Sequence, residues 1–271
     1  MPTRTLNGTK VWQRRDRATQ FRIWLGWLIG TAVFLYCWRI ISENTEWEFV
    51  QDAHIQALDM ASRMVPPRWS YTPTILRPLW DTINIATLGT VCAVVIATPV
   101  AFLAARNTTP SLLVARPLAL MIVVSSRSIN SLIWALMLVL IMGPGVVAGI
   151  VAITLRSIGF VGKLLYEAIE EIDERQVEAI IATGASRPQV LLYGIVPQIL
   201  PAFAGISVYR WDINIRESTV LGLVGAGGIG LELQASVNIL AWNQVTLIFI
   251  AILGSVVLSE WVSAKIRHAI I

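Results

Sequence analysis

Four arginines sit where an arginine is costly. Arg127, Arg156, Arg210 and Arg216 lie within long apolar stretches of the 271-residue chain, and only Asp212 and Glu217 oppose them there. A cation at the centre of a membrane helix costs ~2.5 kcal/mol or more, so such groups face a water-filled path or pair inside the protein. On a helix, Arg210, Asn214 and Glu217 share one face, while Asp212 and Arg216 form an i,i+4 pair. The same spacing aligns Arg127, Asn130, Ser131 and Trp134. Guanidinium groups grip phosphate-like oxygens well. Arg127, Asn130, Arg210, Asn214 and Glu217 are therefore candidates for lining a conduit for a small oxyanion. Asp212 and Arg216 are candidates for a structural clamp between helices. Interhelical pairing remains the competing explanation for every one of these arginines.

A second pattern is Gly225-Ala226-Gly227-Gly228-Ile229-Gly230, which satisfies G-x-G-x-x-G. A dinucleotide site needs a strand before this run and an acid ~20 residues after it. Here an apolar stretch precedes it, and Phe249-Ile250-Ala251 stands about that far downstream. The run instead predicts a tight turn where a helix breaks at the outer membrane edge. Gly225, Gly227, Gly228 and Gly230 would permit positive φ and close backbone approach there, which suits a gate or a second-subunit contact. H-E-x-x-H, G-x-S-x-G, C-x-x-C and Walker A patterns are absent from the sequence. His54 and His268 are far apart, and Cys37 and Cys92 fall inside apolar runs. No catalytic, cofactor-binding or metal-ligating residue is expected.

The elements that must position these residues follow from composition. The chain is 55 % hydrophobic and 14 % charged, with a mean hydropathy of +0.66, against roughly 25 % charged for a soluble domain. That apolarity excludes disorder, collagen and a nucleic-acid-binding domain, so the basic pI of about 9.4 does not imply nucleic acid. The fold class is all-α, a polytopic transmembrane bundle. Six stretches have the ~20 residues a span needs: Phe21–Ile41, Thr82–Ala105, Leu118–Met142, Val146–Leu165, Pro201–Val224 and Leu240–Val262. The first is too long for a signal-peptide core and reads as an anchor. The N-terminal end carries Arg4, Lys10, Arg14, Arg15, Arg17 and Arg22 against Asp16, and the connection after the first stretch is rich in Glu and Asp. The positive-inside rule then puts both termini in the cytoplasm. The resulting domain order is a basic cytoplasmic tail (1–20), an anchor span (21–41), a periplasmic segment (42–81) and a core (82–271).

Within that core, residues 166–200 form the longest cytoplasmic connection. Its first half reads as helical and carries Glu167, Glu170, Glu171, Asp173, Glu174 and Glu178, a solvated face with i,i+4 partners such as Glu171 and Arg175 rather than a catalytic carboxylate pair. It continues as Glu178-Ala179-Ile180-Ile181-Ala182-Thr183-Gly184-Ala185-Ser186, and then Gly194-Ile195-Val196-Pro197. A helix, a glycine turn and a short helix ended by proline would make either an exposed docking knob or a re-entrant connection.

These residues resemble the EAA coupling motif of ABC importer permeases, with Glu178-Ala179 followed by Gly184 and by Pro197 thirteen residues later. Ile180 stands at the third EAA position, Gly194 replaces the usual Ile, and Val196 replaces Leu. Arg127-Ser128-Ile129-Asn130, Tyr193 to Gln198, Tyr209 to Arg216 and Ser218 to Gly230 are similar to the phosphonate-type branch. The resemblance covers about residues 75 to 268. It implies a bundle of the type I ABC importer permease kind in the bacterial inner membrane, and a dimer with a second copy or close paralogue. Two ATPase subunits would dock at Glu178, Ala179, Gly184 and Ala185. ATP and Mg would belong to those partners, with no cofactor in this chain. A periplasmic or lipid-anchored binding protein would deliver phosphonate, phosphite, hypophosphite or phosphate. A stand-alone anion channel or ion-coupled carrier is the rival reading. A carrier would show broken helices in both halves of an inverted repeat, and the sequence has no evident second copy.

Overall fold

The computed structural model describes residues 3–6, 8–12 and 17–270. Arg14, Arg15 and Asp16 of the basic tail lie outside them. The chain divides into two units, Met1–Asp59 and Met60–Ile271.

In the first unit, β1 (Thr3–Leu6) pairs antiparallel with β2 (Thr9–Trp12), Thr3 opposite Trp12. This hairpin is the one departure from the all-helical expectation among the described residues. Next comes α1 (Arg17–Glu43), whose apolar side chains are exposed along its length, as a bilayer-facing anchor requires. After a short break, α2 (Trp47–Met64) runs across the boundary between the units. Residues 42–81 are thus largely helical, where the sequence suggested only a connecting segment.

In the second unit, a 3-10 turn at Trp69–Tyr71 leads into α3 (Thr72–Ala104). The span begins about ten residues before the expected Thr82. Pro73 sits in the first turn, where its missing N–H removes no bond, and Pro78 stands inside the helix. Ile75, Thr82, Ala86, Ala93, Ala97 and Ala101 bury one face of α3. The helix packs on α6 (Val146–Glu170), where Gly149 lies against Ile85 of α3 and Gly89 of α3 lies against Ile153. Small residues let two membrane helices approach closely, which is where their packing energy comes from.

The expected third span is not one helix. It divides into α4 (Ala115–Ser128) and α5 (Ser131–Met142), bent by 87°. Asn130 lies between them in an extended conformation, and its side chain accepts from the Leu132 N–H to cap α5. Beyond α6 the chain breaks at Glu171, and Asp173 caps α7 (Glu174–Ala182). The expected uninterrupted helix is therefore corrected, and Glu171 and Arg175 do not share one. Then follow α8 (Arg187–Val190), a π-type turn at Leu191–Ile195, α9 (Val196–Gly222), α10 (Ile229–Asn238) and α11 (Trp242–Ile270). Pro197 opens α9 rather than closing the short helix before it. Among the described residues, five helices are long and apolar enough to cross a membrane, six if the bent pair counts as one span.

Candidate functional site

The intramembrane charges of α6 and α9 meet at Glu217. Arg210 Nη2 lies 3.3 Å from Glu217 Oε2, and Arg156 Nη1 lies 3.4 Å from Oε1. Arg156 stands ten residues into α6, about 15 Å from its start at 1.5 Å per residue, near the middle of a ~30 Å hydrocarbon layer. Arg210 is enclosed on every side. Its Nε donates to Ser157 Oγ at 2.9 Å, and its guanidinium carbon sits 5.0 Å from the centroid of the Phe160 ring. Asn214 Nδ2 donates to Thr90 Oγ1 at 2.7 Å and to Ser157 Oγ at 3.2 Å, joining α3, α6 and α9.

Exposure separates the two arginines. The Arg210 side chain is 2 % exposed, whereas Glu217 is 17 % and Arg156 32 % exposed. A water-facing Arg210 is therefore corrected: burial, a carboxylate, a hydroxyl and a ring leave no face for a passing ion. Asn214, fully buried, is likewise part of the packing. Arg156 is half-open instead. Its Nη1 donates to Asn130 Oδ1 at 3.3 Å and Ser131 Oγ at 3.1 Å, tying α6 to the start of α5. The break between α4 and α5 separates Arg127 from Asn130, so the helical face expected to unite Arg127, Asn130, Ser131 and Trp134 does not form. Arg127 is exposed, with its stem over Gly159 of α6, where an added Cβ would come within 2.8 Å of Arg127 Cγ. Ser126 Oγ, nearby, accepts from the Gly159 N–H and donates to the Leu155 carbonyl.

Sequence reasoning noted the charge of Arg156 but left it out of the lining. It missed Ser157, Thr90 and Phe160 altogether. The signal for Arg156 was present: it is the one charged residue between Val146 and Gly162.

One turn further along α9, Arg216 Nη2 contacts Asp212 Oδ2 at 2.6 Å. Asp212 is 9 % exposed, Arg216 44 %. Ser259 Oγ of α11 donates to the other carboxylate oxygen at 2.8 Å, so the pair anchors α11 to α9.

The glycine run forms a turn buried inside this subunit. Gly225, Gly227 and Gly228 have φ of +91°, +82° and +77°. The Gly225 carbonyl accepts from the Gly145 N–H ahead of α6, and Thr82 Oγ1 of α3 accepts from the Ile229 N–H at 2.7 Å. A Cβ on Gly228 would fall 2.6 Å from that Thr82 oxygen. Gly230 sits against Gly222 and the Thr219 carbonyl. This packing belongs to the chain itself.

On the 166–200 connection, Glu178 and Ala179 are exposed on α7, Ala185 is half-buried, and Gly184 turns the chain at φ +82°. Gly194 lets Ile180 and Val177 seat α7 on the turn before α9. The result is an exposed helix packed on the turn that leads into α9.

Comparison with known proteins accords with this architecture. Residues 97–264 match the family described as the binding-protein-dependent transport system inner membrane component. The phosphite transport system permease protein PtxC of Stutzerimonas stutzeri is 43 % identical over 208 residues, covering 77 % of this chain and 75 % of that protein. The phosphate-import permease protein PhnE of Mycolicibacterium smegmatis is 38 % identical over 228 residues, 83 % of this chain and 43 % of that protein. Among solved structures, the inward-facing MetNI methionine ABC transporter matches with a TM-score of 0.66 at 22 % identity, over 75 % of this chain and 99 % of that one. That likeness shows the fold, and it bears out the expected type I importer architecture. The chain belongs to the family of binding-protein-dependent transport system inner membrane components.

Proposed function

We propose that this chain is the permease subunit of an ATP-driven importer for phosphorus oxyanions, of which phosphite, phosphonate and phosphate are the nearest candidates. The names of the two relatives, phosphite for one and phosphate for the other, support that class. The observation that carries it here is the half-open Arg156 at the α4–α5 break. Among the described residues it leaves guanidinium donors unengaged on a side chain held at one nitrogen by Asn130, Ser131 and Glu217.

The geometry suits passage rather than storage. Glu217 competes with an arriving anion for Arg156, which keeps the attraction weak enough for release. Arg210, sealed behind it, fixes the carboxylate. Arg127 supplies a second exposed cation at the same break. Counting Arg127, Arg156 and Arg210 against Glu217 leaves this region with an excess of positive charge, as an oxyanion path requires.

The other components follow the same reading. A second permease copy or close paralogue completes the membrane unit, and two ATPase subunits dock on α7 through Glu178, Ala179, Gly184 and Ala185. ATP and Mg are bound there and not by this chain. A periplasmic or lipid-anchored binding protein delivers the anion. The termini face the cytoplasm of a bacterium, as the positive-inside rule expects.

The test is phosphite uptake per folded complex in proteoliposomes containing the ATPase and binding protein. Arg156→Ala and Arg127→Ala should each reduce uptake tenfold or more, and the lysine variants should recover part of it, because charge persists while the planar fork is lost. Wild-type uptake by both alanine variants would refute this path.

A further inference from the structure

The helix α2 (Trp47–Met64) has a use that the transport reading does not supply. Its residues lack any buried member, yet they sort by side, with His54 the one polar residue on the apolar half. At about 100° per residue, Trp47, Phe49, Val50, Leu58, Met60 and Met64 fall on one half of the helix. Glu48, Asp52, Gln56, Asp59 and Arg63 fall on the other, where Ile55 is the one large apolar residue. Four charges in 18 residues exclude a span.

Connectivity fixes where this helix must be. Residues 44–46 join its start to the end of the anchor α1. Its other end is held at the mouth of the core: Thr246 Oγ1 of α11 donates to the Met64 carbonyl at 2.9 Å, and the Arg68 N–H donates to the Asn243 carbonyl at 3.1 Å. The span Trp69–Ala104 starts immediately afterwards. Because α2 does not cross, the end of α1 and the start of that span share one membrane surface, and α2 is tethered to that surface at both ends. Trp38 and Trp47, with ring centroids 6.5 Å apart across the junction, are of the type that settles at a headgroup boundary.

We infer that α2 lies in the plane of that membrane surface as an interfacial helix, with its apolar half in the acyl–headgroup boundary of the lipid and its acidic half in water. Such a helix binds by buried apolar area. Its acidic polar half makes the attachment independent of anionic lipid.

The experiment uses the full chain, assembled with its partners in nanodiscs of zwitterionic lipid, with Cys37 and Cys92 replaced by alanine. A single environment-sensitive fluorophore is placed by Val50→Cys or by Asp52→Cys, neighbouring positions on opposite halves. The Val50→Cys label should be quenched severalfold more by brominated acyl chains than by aqueous iodide, and the Asp52→Cys label should show the reverse. Equal quenching of both labels by iodide would overturn the inference, as a solvated helix. A Val50→Cys label shielded from iodide yet untouched by brominated lipid would overturn it too, because protein and not lipid would then cover this face.

Discussion

Arg210 and Arg156 share a carboxylate but not an environment, and their replacements should differ in kind. Removing Arg210 takes one donor from Ser157 Oγ, uncovers the Phe160 face and leaves Glu217 with Arg156 as its ion-pair partner. Breaking a buried pair costs about 3–5 kcal/mol, so Arg210→Ala should lower folded yield and thermal stability before it alters transport. Arg156→Ala, at a half-open site, should fold nearly normally and lose uptake. Thermal melting of the two purified variants separates these outcomes, and equal melting temperatures would place both arginines in the same role. For the Asp212–Arg216 pair the charge itself is the liability. Arg216→Ala leaves Asp212 charged with only Ser259 as a donor, at a cost of about 2 kcal/mol. The double variant Asp212→Asn with Arg216→Gln keeps a polar partner for Ser259 and leaves no charge, and it should recover most of the yield lost by Arg216→Ala.

The two glycine turns have similar backbones and different surroundings. Gly228 and Gly184 both have positive φ, +77° and +82°, which costs a side-chain-bearing residue about 1–2 kcal/mol. A Cβ on Gly228 also collides with Thr82, whereas nothing lies within 4 Å of one on Gly184. Gly228→Val should therefore reduce the amount of folded protein. Gly184→Leu and Glu178→Lys should fold, yet lose substrate-stimulated ATP hydrolysis in the complex, because the changed surface is the exposed one. Normal stimulation in both would remove the docking role from this loop. The apolar lengths of α1, α6, α9 and α11 were legible in the sequence, since ~20 apolar residues have few other uses. The break at Ile129–Asn130 was not, because the apolar lengths on either side of it add up to one span and capping by Asn130 is a local geometric event. Its trace was the polar run Ser125-Ser126-Arg127-Ser128 followed by Asn130-Ser131. The Asp212–Arg216 contact could be read from i,i+4 spacing. The meeting of Arg156 with Glu217 could not, because it depends on how α6 and α9 cross. The amphipathic pattern of α2 was present but hidden because its acids were read for orientation alone.

At the scale of the molecule, a bundle of small-residue helix contacts carries a polar cluster at mid-depth, a rigidly mounted exposed helix on one side and a buried glycine turn on the other. If, as proposed, nucleotide is bound by partner ATPase subunits, turnover should appear only in the assembled complex. The most direct measurement is ATP hydrolysis by proteoliposomes containing this chain, its ATPase and its binding protein, with phosphite, phosphate, a phosphonate or methionine supplied on the binding-protein side. At least one phosphorus oxyanion should raise hydrolysis severalfold and be taken up with it, and Arg156→Ala should abolish uptake of that anion. Stimulation by methionine alone, or undiminished uptake with Arg156→Ala, would contradict the proposed function at its centre.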